Sequence, residues 1–156
     1  MATYNVTGPG GTTGHPTRTR RPYLVENTID VSAINGDSGA AQNDILQVLD
    51  VPAETLVINA GLEVLTALSS SVTLDMGDGD TVDIYVDGDT NATGYAAQHA
   101  DTANVGKTYG SADTIDVKVL DAASSAGKIR VFAVMCDISG IDETDRNTAT
   151  QHDTAV

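Results

Sequence analysis

Short stretches in which apolar and polar residues alternate, each closed by a turn rich in Gly, Asp, Asn or Ser, recur from Thr28 to Ile138. A period of two buries one face of a strand and wets the other, whereas a helix buries a face at a period near 3.6. The stretches are TIDVSAI (28–34), in which Ile29, Val31 and Ala33 oppose Asp30 and Ser32, then DILQVLDV (44–51), stopped by Pro52. TLVINAGLEVLTAL (55–68) follows, with Gly61 read as a bend or bulge, then SVTLDMG (71–77), VDIYVDG (82–88), DTIDVKVLD (113–121) and GKIRVFAVMCDI (127–138). With one Phe and no Trp, Val, Ile, Leu and Ala must fill the interior. β-branched side chains lose freedom in helices and fit a pleated surface. The pattern predicts an all-β fold: an antiparallel β-sandwich or jelly-roll-like domain of about eight strands, with an extended N-terminal arm and a C-terminal tail.

Three boundaries follow. Residues 1–26 read as an arm, because they hold three of the four prolines (Pro9, Pro16, Pro22) and the run Gly-Pro-Gly-Gly, which sustain neither helix nor ladder. Fully extended, such an arm reaches roughly 80 Å at ~3.3 Å per residue. Ordering it costs about 1–2 kcal/mol per residue, so a partner surface must offset that cost. Residues 27–140 form the sandwich, interrupted by a long insertion at 91–112, where TGYAAQHADTA suggests a turn or two of helix. Residues 141–156 read as a polar, acidic, extended tail. Loops as long as the insertion are usually functional or contact a neighbour.

Charge divides along the same line. The chain carries a net charge of -14, yet residues 1–21 contain Arg18, Arg20 and Arg21 and no acid, so the remainder carries -14 - 3 = -17. A body that acidic is repelled by nucleic acid and by anionic membranes, and neither is expected as a partner. No apolar window is long enough to cross a bilayer, and residues 1–20 lack the apolar core of a signal peptide. Cys136 is the only cysteine, so no intrachain disulfide forms. The sequons Asn5-Val6-Thr7 and Asn91-Ala92-Thr93 are of a kind common by chance in a Thr-rich chain. These features predict a protein made and used without secretion.

Motifs for chemistry are sparse. The segment from Asp75 to Asp89 is dense in aspartate and invites a calcium reading. From Asp87 the spacing Asp-x-Asp-x-Asn holds to Asn91, but Ala92 stands where the loop needs Gly and Gln98 where it needs Glu. The favoured reading is two Asp-Gly turns flanking a strand in which Val82, Ile84 and Val86 alternate, with the acids facing water. Cys136 falls on one face of the last stretch with Phe132, Val134 and Ile138, which predicts core packing rather than a reactive thiolate. His15, His99 and His152 lie in arm, insertion and tail, and no pair has metal-ligand spacing. There is no nucleophile elbow, phosphate loop or dinucleotide fingerprint. Neither an enzyme nor a cofactor is expected. The arm is the exception: arginine makes planar, bidentate contacts with carboxylates, and Tyr and Pro add flat apolar area. Tyr4, His15, Pro16, Arg18, Arg20, Arg21, Pro22 and Tyr23 are therefore the candidate partner-binding residues.

Three segments carry a resemblance to a known group. They are DILQVLDVPAETLVINAGLEVLTA (44–67), TLDMGDGD with YVDGDTN (73–80 and 85–91), and GKIRVFAVMCDISG (127–140). In this order they resemble small virion structural proteins of tailed bacteriophages, of the capsid decoration (cement) type, across roughly residues 28–140. The resemblance implies a β-rich, non-catalytic protein, often a homotrimer, bound to the major capsid protein on the capsid surface after assembly in the host cytoplasm. Under it, the arm is a strap across subunit boundaries. Two other readings compete: a fibre or tail component whose body binds a receptor, and a carbohydrate-binding β-sandwich module.

Overall fold

The computed structural model describes residues 21–69, 71–96 and 106–139. Their nine strands are all antiparallel: β1 (Tyr23–Asp30), β2 (Ile45–Val51), β3 (Thr55–Thr66), β4 (Thr73–Gly77), β5 (Val86–Thr90), β6 (Gly94–Ala96), β7 (Lys107–Tyr109), β8 (Asp113–Leu120) and β9 (Lys128–Asp137). One sheet runs β1-β9-β3-β6, with β7 also paired to β3, and the other runs β2-β8-β4-β5. The last strand lies between the first and third, and the eighth between the second and fourth. That interleaving of early and late strands across two sheets is a jelly roll, within the class the periodicity predicts.

The central strands show why the sheets face one another. In β9, Ile129, Val131, Ala133 and Met135 are fully buried, and in β8 so are Ile115, Val117 and Val119. Period-two alternation puts each set on one face, and the two faces meet in a single aliphatic core with Leu62, Leu74, Met76 and Tyr85.

β3 supplies Val57, Ala60, Leu62 and Val64 to that core, a set that changes parity partway along. The cause is a register shift between Val57 and Asn59, where an extra residue on one strand rotates everything after it onto the other face. A second shift lies between Val64 and Thr66. The bulges therefore flank Gly61, which pairs regularly with Phe132, and the bend expected at Gly61 itself is not there. The displaced residues Ile58 and Leu65 stay at the surface.

The first strand also differs from expectation. It covers Tyr23–Asp30, so residues 23–26 of the arm segment already pair with β9. The stretch read as strand through Ile34 becomes a 3-10 turn at Val31–Ala33. Asp30 ends the ladder by accepting the Ser32 amide (3.1 Å) and hydroxyl (2.5 Å) on Oδ1. The stretch 82–88 likewise becomes a strand only from Val86. Before it, Gly77 turns so tightly over Thr81 that a Cβ there would lie 2.0 Å from the Thr81 carbonyl oxygen. Ile84, Tyr85 and Val86 are consecutively buried, which an alternating strand forbids. Within the insertion, Gly94–Ala96 is strand rather than helix and pairs with β3, as does Lys107–Tyr109. Residues 97–105 and the tail after Ser139 lie outside the described residues.

Candidate functional site

Two features stand out among the described residues: a buried polar cluster between the sheets, and the outer surfaces that the sheets present.

The cluster centres on Asp78, whose side chain is fully buried. Its Oδ1 accepts the amides of Asp80 (3.1 Å) and Thr81 (2.9 Å), closing the tight turn after Gly77. Its Oδ2 accepts from the Lys107 ammonium and from the Tyr109 hydroxyl (2.6 Å). The Tyr109 hydroxyl also meets that of Tyr85 at 2.7 Å, and the Lys107 ammonium sits 5.0 Å from the Tyr109 ring centroid. The aspartate extends from the end of β4 in one sheet, and Lys107 and Tyr109 belong to β7 in the other, so the cluster ties the two sheets together.

Burial alone would raise the Asp78 carboxyl, but the lysine, the tyrosine and the Thr81 amide outweigh it and hold it below the ordinary carboxylate value. Burial, then the bonds to Asp78 and Tyr85, drives the Tyr109 hydroxyl up. Burial pushes Tyr85 up to about 12, against the lowering effect of its bond to Tyr109. At neutral pH the cluster is an ionised carboxylate held by one cation and neutral donors. That arrangement fixes geometry, since Asp78 has donors on both oxygens.

The expectation that the aspartates of the 75–89 segment face water fails at two positions. Asp78 is buried as described, and Asp75 is 7% exposed, its Oδ1 accepting the Gly88 amide at 2.8 Å. Burial raises the Asp75 carboxyl, the Gly88 amide lowers it, and the charges of Asp87 and Asp83 raise it further, so it sits above the ordinary value. Asp116, on β8, is raised likewise, chiefly by burial, with Thr114 opposing and Asp113 and Asp78 adding. Among the described residues no three His, Cys, Asp or Glu side chains converge as a metal site.

The outer face of the β1-β9-β3 sheet is divided. At one end lie Lys128 with Asp30 (3.4 Å) and Arg130 with Glu63 (2.6 Å) and Glu26 (3.9 Å). Toward the other end the outward residues are Val134 opposite Leu24 and Cys136 opposite Leu56. Cys136 thus shares a face with Phe132 and Val134 as the alternation predicts, but that face is the half-buried outer one. The core of β9 is the complementary set from Ile129 to Met135. Alternation fixes which residues share a face; the pairing of the strand decides which face is inside.

Of the candidate partner-binding residues, Arg21 and Pro22 are exposed just ahead of β1, and Tyr23 opens β1 opposite Met135 with 40% of its surface exposed. Tyr4, His15, Pro16, Arg18 and Arg20 lie outside the described residues. Sequence reasoning missed the Asp78–Lys107–Tyr109 cluster, whose members lie 29 and 31 residues apart. It also missed Asn27, whose Nδ2 donates to the Val48 carbonyl (3.1 Å) and links β1 to the bulge of β2.

These features define an antiparallel jelly roll with an internally locked polar cluster. No family model and no curated protein matches the chain. Among the solved structures similar to it are chains of three phage capsids. A chain in the acidic stable capsid structure of Helicobacter pylori bacteriophage KHP30 is 14% identical, with a TM-score of 0.55 over 75% of this chain and 92% of that one. A chain in the cyanophage Pam1 capsid asymmetric unit is 18% identical, with a TM-score of 0.56 over 86% and 97%. A chain in the capsid of Ralstonia phage GP4 is 19% identical, with a TM-score of 0.56 over 85% and 94%. At these identities the likeness is one of fold.

Proposed function

We propose that this chain is a structural protein of a phage virion, and more specifically a capsid decoration (cement) protein that binds the outside of the head. The observation that carries the first part is the shared fold with chains of three phage capsids, spanning most of both chains in each case. The second part is supported by the sequence. A segment of +3 precedes a body of -17, so the N-terminal arm is the part suited to an acidic partner surface such as the major capsid protein. In this reading Arg18, Arg20 and Arg21 pair with capsid carboxylates, while Tyr4 and Tyr23, with His15, Pro16 and Pro22, supply apolar contact. The body bridges neighbouring capsid subunits. Many copies per particle turn modest single contacts into firm attachment.

The test is co-sedimentation with purified capsids that lack this protein. The full chain should pellet in fixed stoichiometry, and a chain beginning at Pro22, which keeps β1 whole, should stay in solution. Changing Arg18, Arg20 and Arg21 together to Ala should weaken binding in the same direction. Normal occupancy after those changes would sink the strap. A handful of copies per particle, instead of hundreds, would favour the fibre or tail reading.

A further inference from the structure

We infer that β1 is the strand through which two copies of this chain join, antiparallel and centred on Asn27. The inference stands apart from the capsid reading, because it concerns the protein alone.

Exposed sheet edges offer unpaired amides and carbonyls to any strand that meets them, and proteins usually blunt them by shortness, bulges, prolines or lysines. The edges here are treated unequally. β6 and β7 have three residues each. β2 is bulged between Gln47 and Leu49, and β5 pairs with β4 across a register shift. β1 alone runs eight residues in unbroken register, from Tyr23 opposite Met135 to Asp30 opposite Lys128, and among the described residues it pairs on one side only. It contains no proline and no lysine, and Leu24 on it is 61% exposed, more than any other large apolar side chain described.

Charge selects the partner. Arg21 precedes β1, and Glu26 and Asp30 occupy its second half. A second copy running antiparallel brings the basic end of each strand to the acidic end of the other, whereas a parallel copy stacks like on like. Residues opposed across an antiparallel pair share a face, which restricts a twofold pair to registers centred on a residue. Centred on Glu26, the two glutamates meet, and centred on Thr28, Glu26 meets Asp30; both oppose like charges. Centred on Asn27, Glu26 lies opposite Thr28, Val25 opposite Ile29 and Leu24 opposite Asp30, so no two like charges are opposed. Val25 and Ile29 are partly buried residues already packed on the core, and the pairing continues that core across the junction. The resulting contact is twofold, unlike the threefold association that the resemblance to cement proteins implies.

Sedimentation equilibrium of the full chain, at concentrations up to the millimolar range, should show a monomer–dimer equilibrium. The register is read by disulfides in a Cys136→Ser background. Glu26 and Thr28 are exposed, so cysteines there leave the core untouched. Directly opposed residues lie within disulfide reach, whereas positions displaced by two are roughly 7–8 Å apart. A mixture of Glu26→Cys and Thr28→Cys chains should therefore cross-link several-fold faster than either variant alone. A monomer at every concentration, a trimer, or self-cross-linking of either variant as fast as the mixture would overturn the inference.

Discussion

The Asp78 carboxylate has four donors and no exposed surface, so its charge is tolerated only while those donors are in place. Asp78→Asn keeps an acceptor for the turn amides but sets an amide group against Lys107 and Tyr109. Removing one partner of a fully buried ion pair costs about 3–5 kcal/mol; Lys107 retains 22% exposure, so about 2–3 kcal/mol is expected, read from urea denaturation. Tyr109→Phe deletes the donor to Asp78 and the partner of the Tyr85 hydroxyl, and should cost about 1–3 kcal/mol. Acid titration separates Asp78 from its neighbours. Because its folded pKa lies below 3.8, its contribution is complete above 3.8 and is lost as pH falls through the folded value. Asp75 and Asp116 are the reverse case: raised above 3.8, they penalise the folded state when ionised, and the penalty is relieved as pH drops through their folded values toward 3.8. Stability should therefore rise on mild acidification and fall steeply below 3.8. In Asp75→Asn with Asp116→Asn the rising limb should shrink, and chemical denaturation at neutral pH should show a more stable protein. None of this was legible in the sequence, where Asp78 and Asp80 stand on either side of Gly79 in one Asp-Gly-Asp run. Only the turn over Gly77 and the arrival of β7 from the other sheet distinguish them.

At the scale of elements, the sequence was most informative where alternation is uninterrupted. β2, β8 and β9 lie within a residue or two of the stretches read from their pattern, because one buried face and one wet face leave a direct imprint. Legibility fails where a local interaction overrides the pattern: the Asp30 side chain stopping β1, the added residue in β3, the Gly77 turn delaying β5. The Gly77 turn can be tested directly. A Cβ at Gly77 would also lie 2.4 Å from the Val82 carbonyl carbon, so backbone, not a flexible side chain, must move. Gly77→Ala should cost about 3 kcal/mol or more, whereas Gly110→Ala, with no atom within 4 Å of its Cβ, should stay within about 0.5 kcal/mol. Thermal melts of the two variants side by side make the comparison. Similar melting points would mean that the 77–82 turn is not held as described.

For the molecule as a whole, strand order is what alternation cannot encode, because it is set by which faces and edges meet. The interleaving of β9 between β1 and β3 depends on pairs as far apart in sequence as Tyr23 with Met135 and Thr55 with Asp137. Charge, by contrast, is fully legible from composition, and it yields a prediction with two opposite halves. A body of -17 repels itself, and screening by salt relaxes that repulsion, since the Debye length shrinks from about 10 Å at 0.1 M to about 3 Å at 1 M. Raising salt across that range should raise the melting temperature of the isolated protein by a few degrees. The same screening weakens the contact of a +3 arm with an acidic capsid surface, so the co-sedimenting fraction should fall across the same series. Buried pairs such as Lys107 with Asp78 are shielded from the ions and contribute little to either trend. If instead binding to capsids holds or strengthens with salt while the melting temperature rises, the attachment is apolar. The contact would then move from the arginines to the exposed apolar residues of the first sheet, with Leu24, Ile58 and Leu65 the first to replace by polar ones.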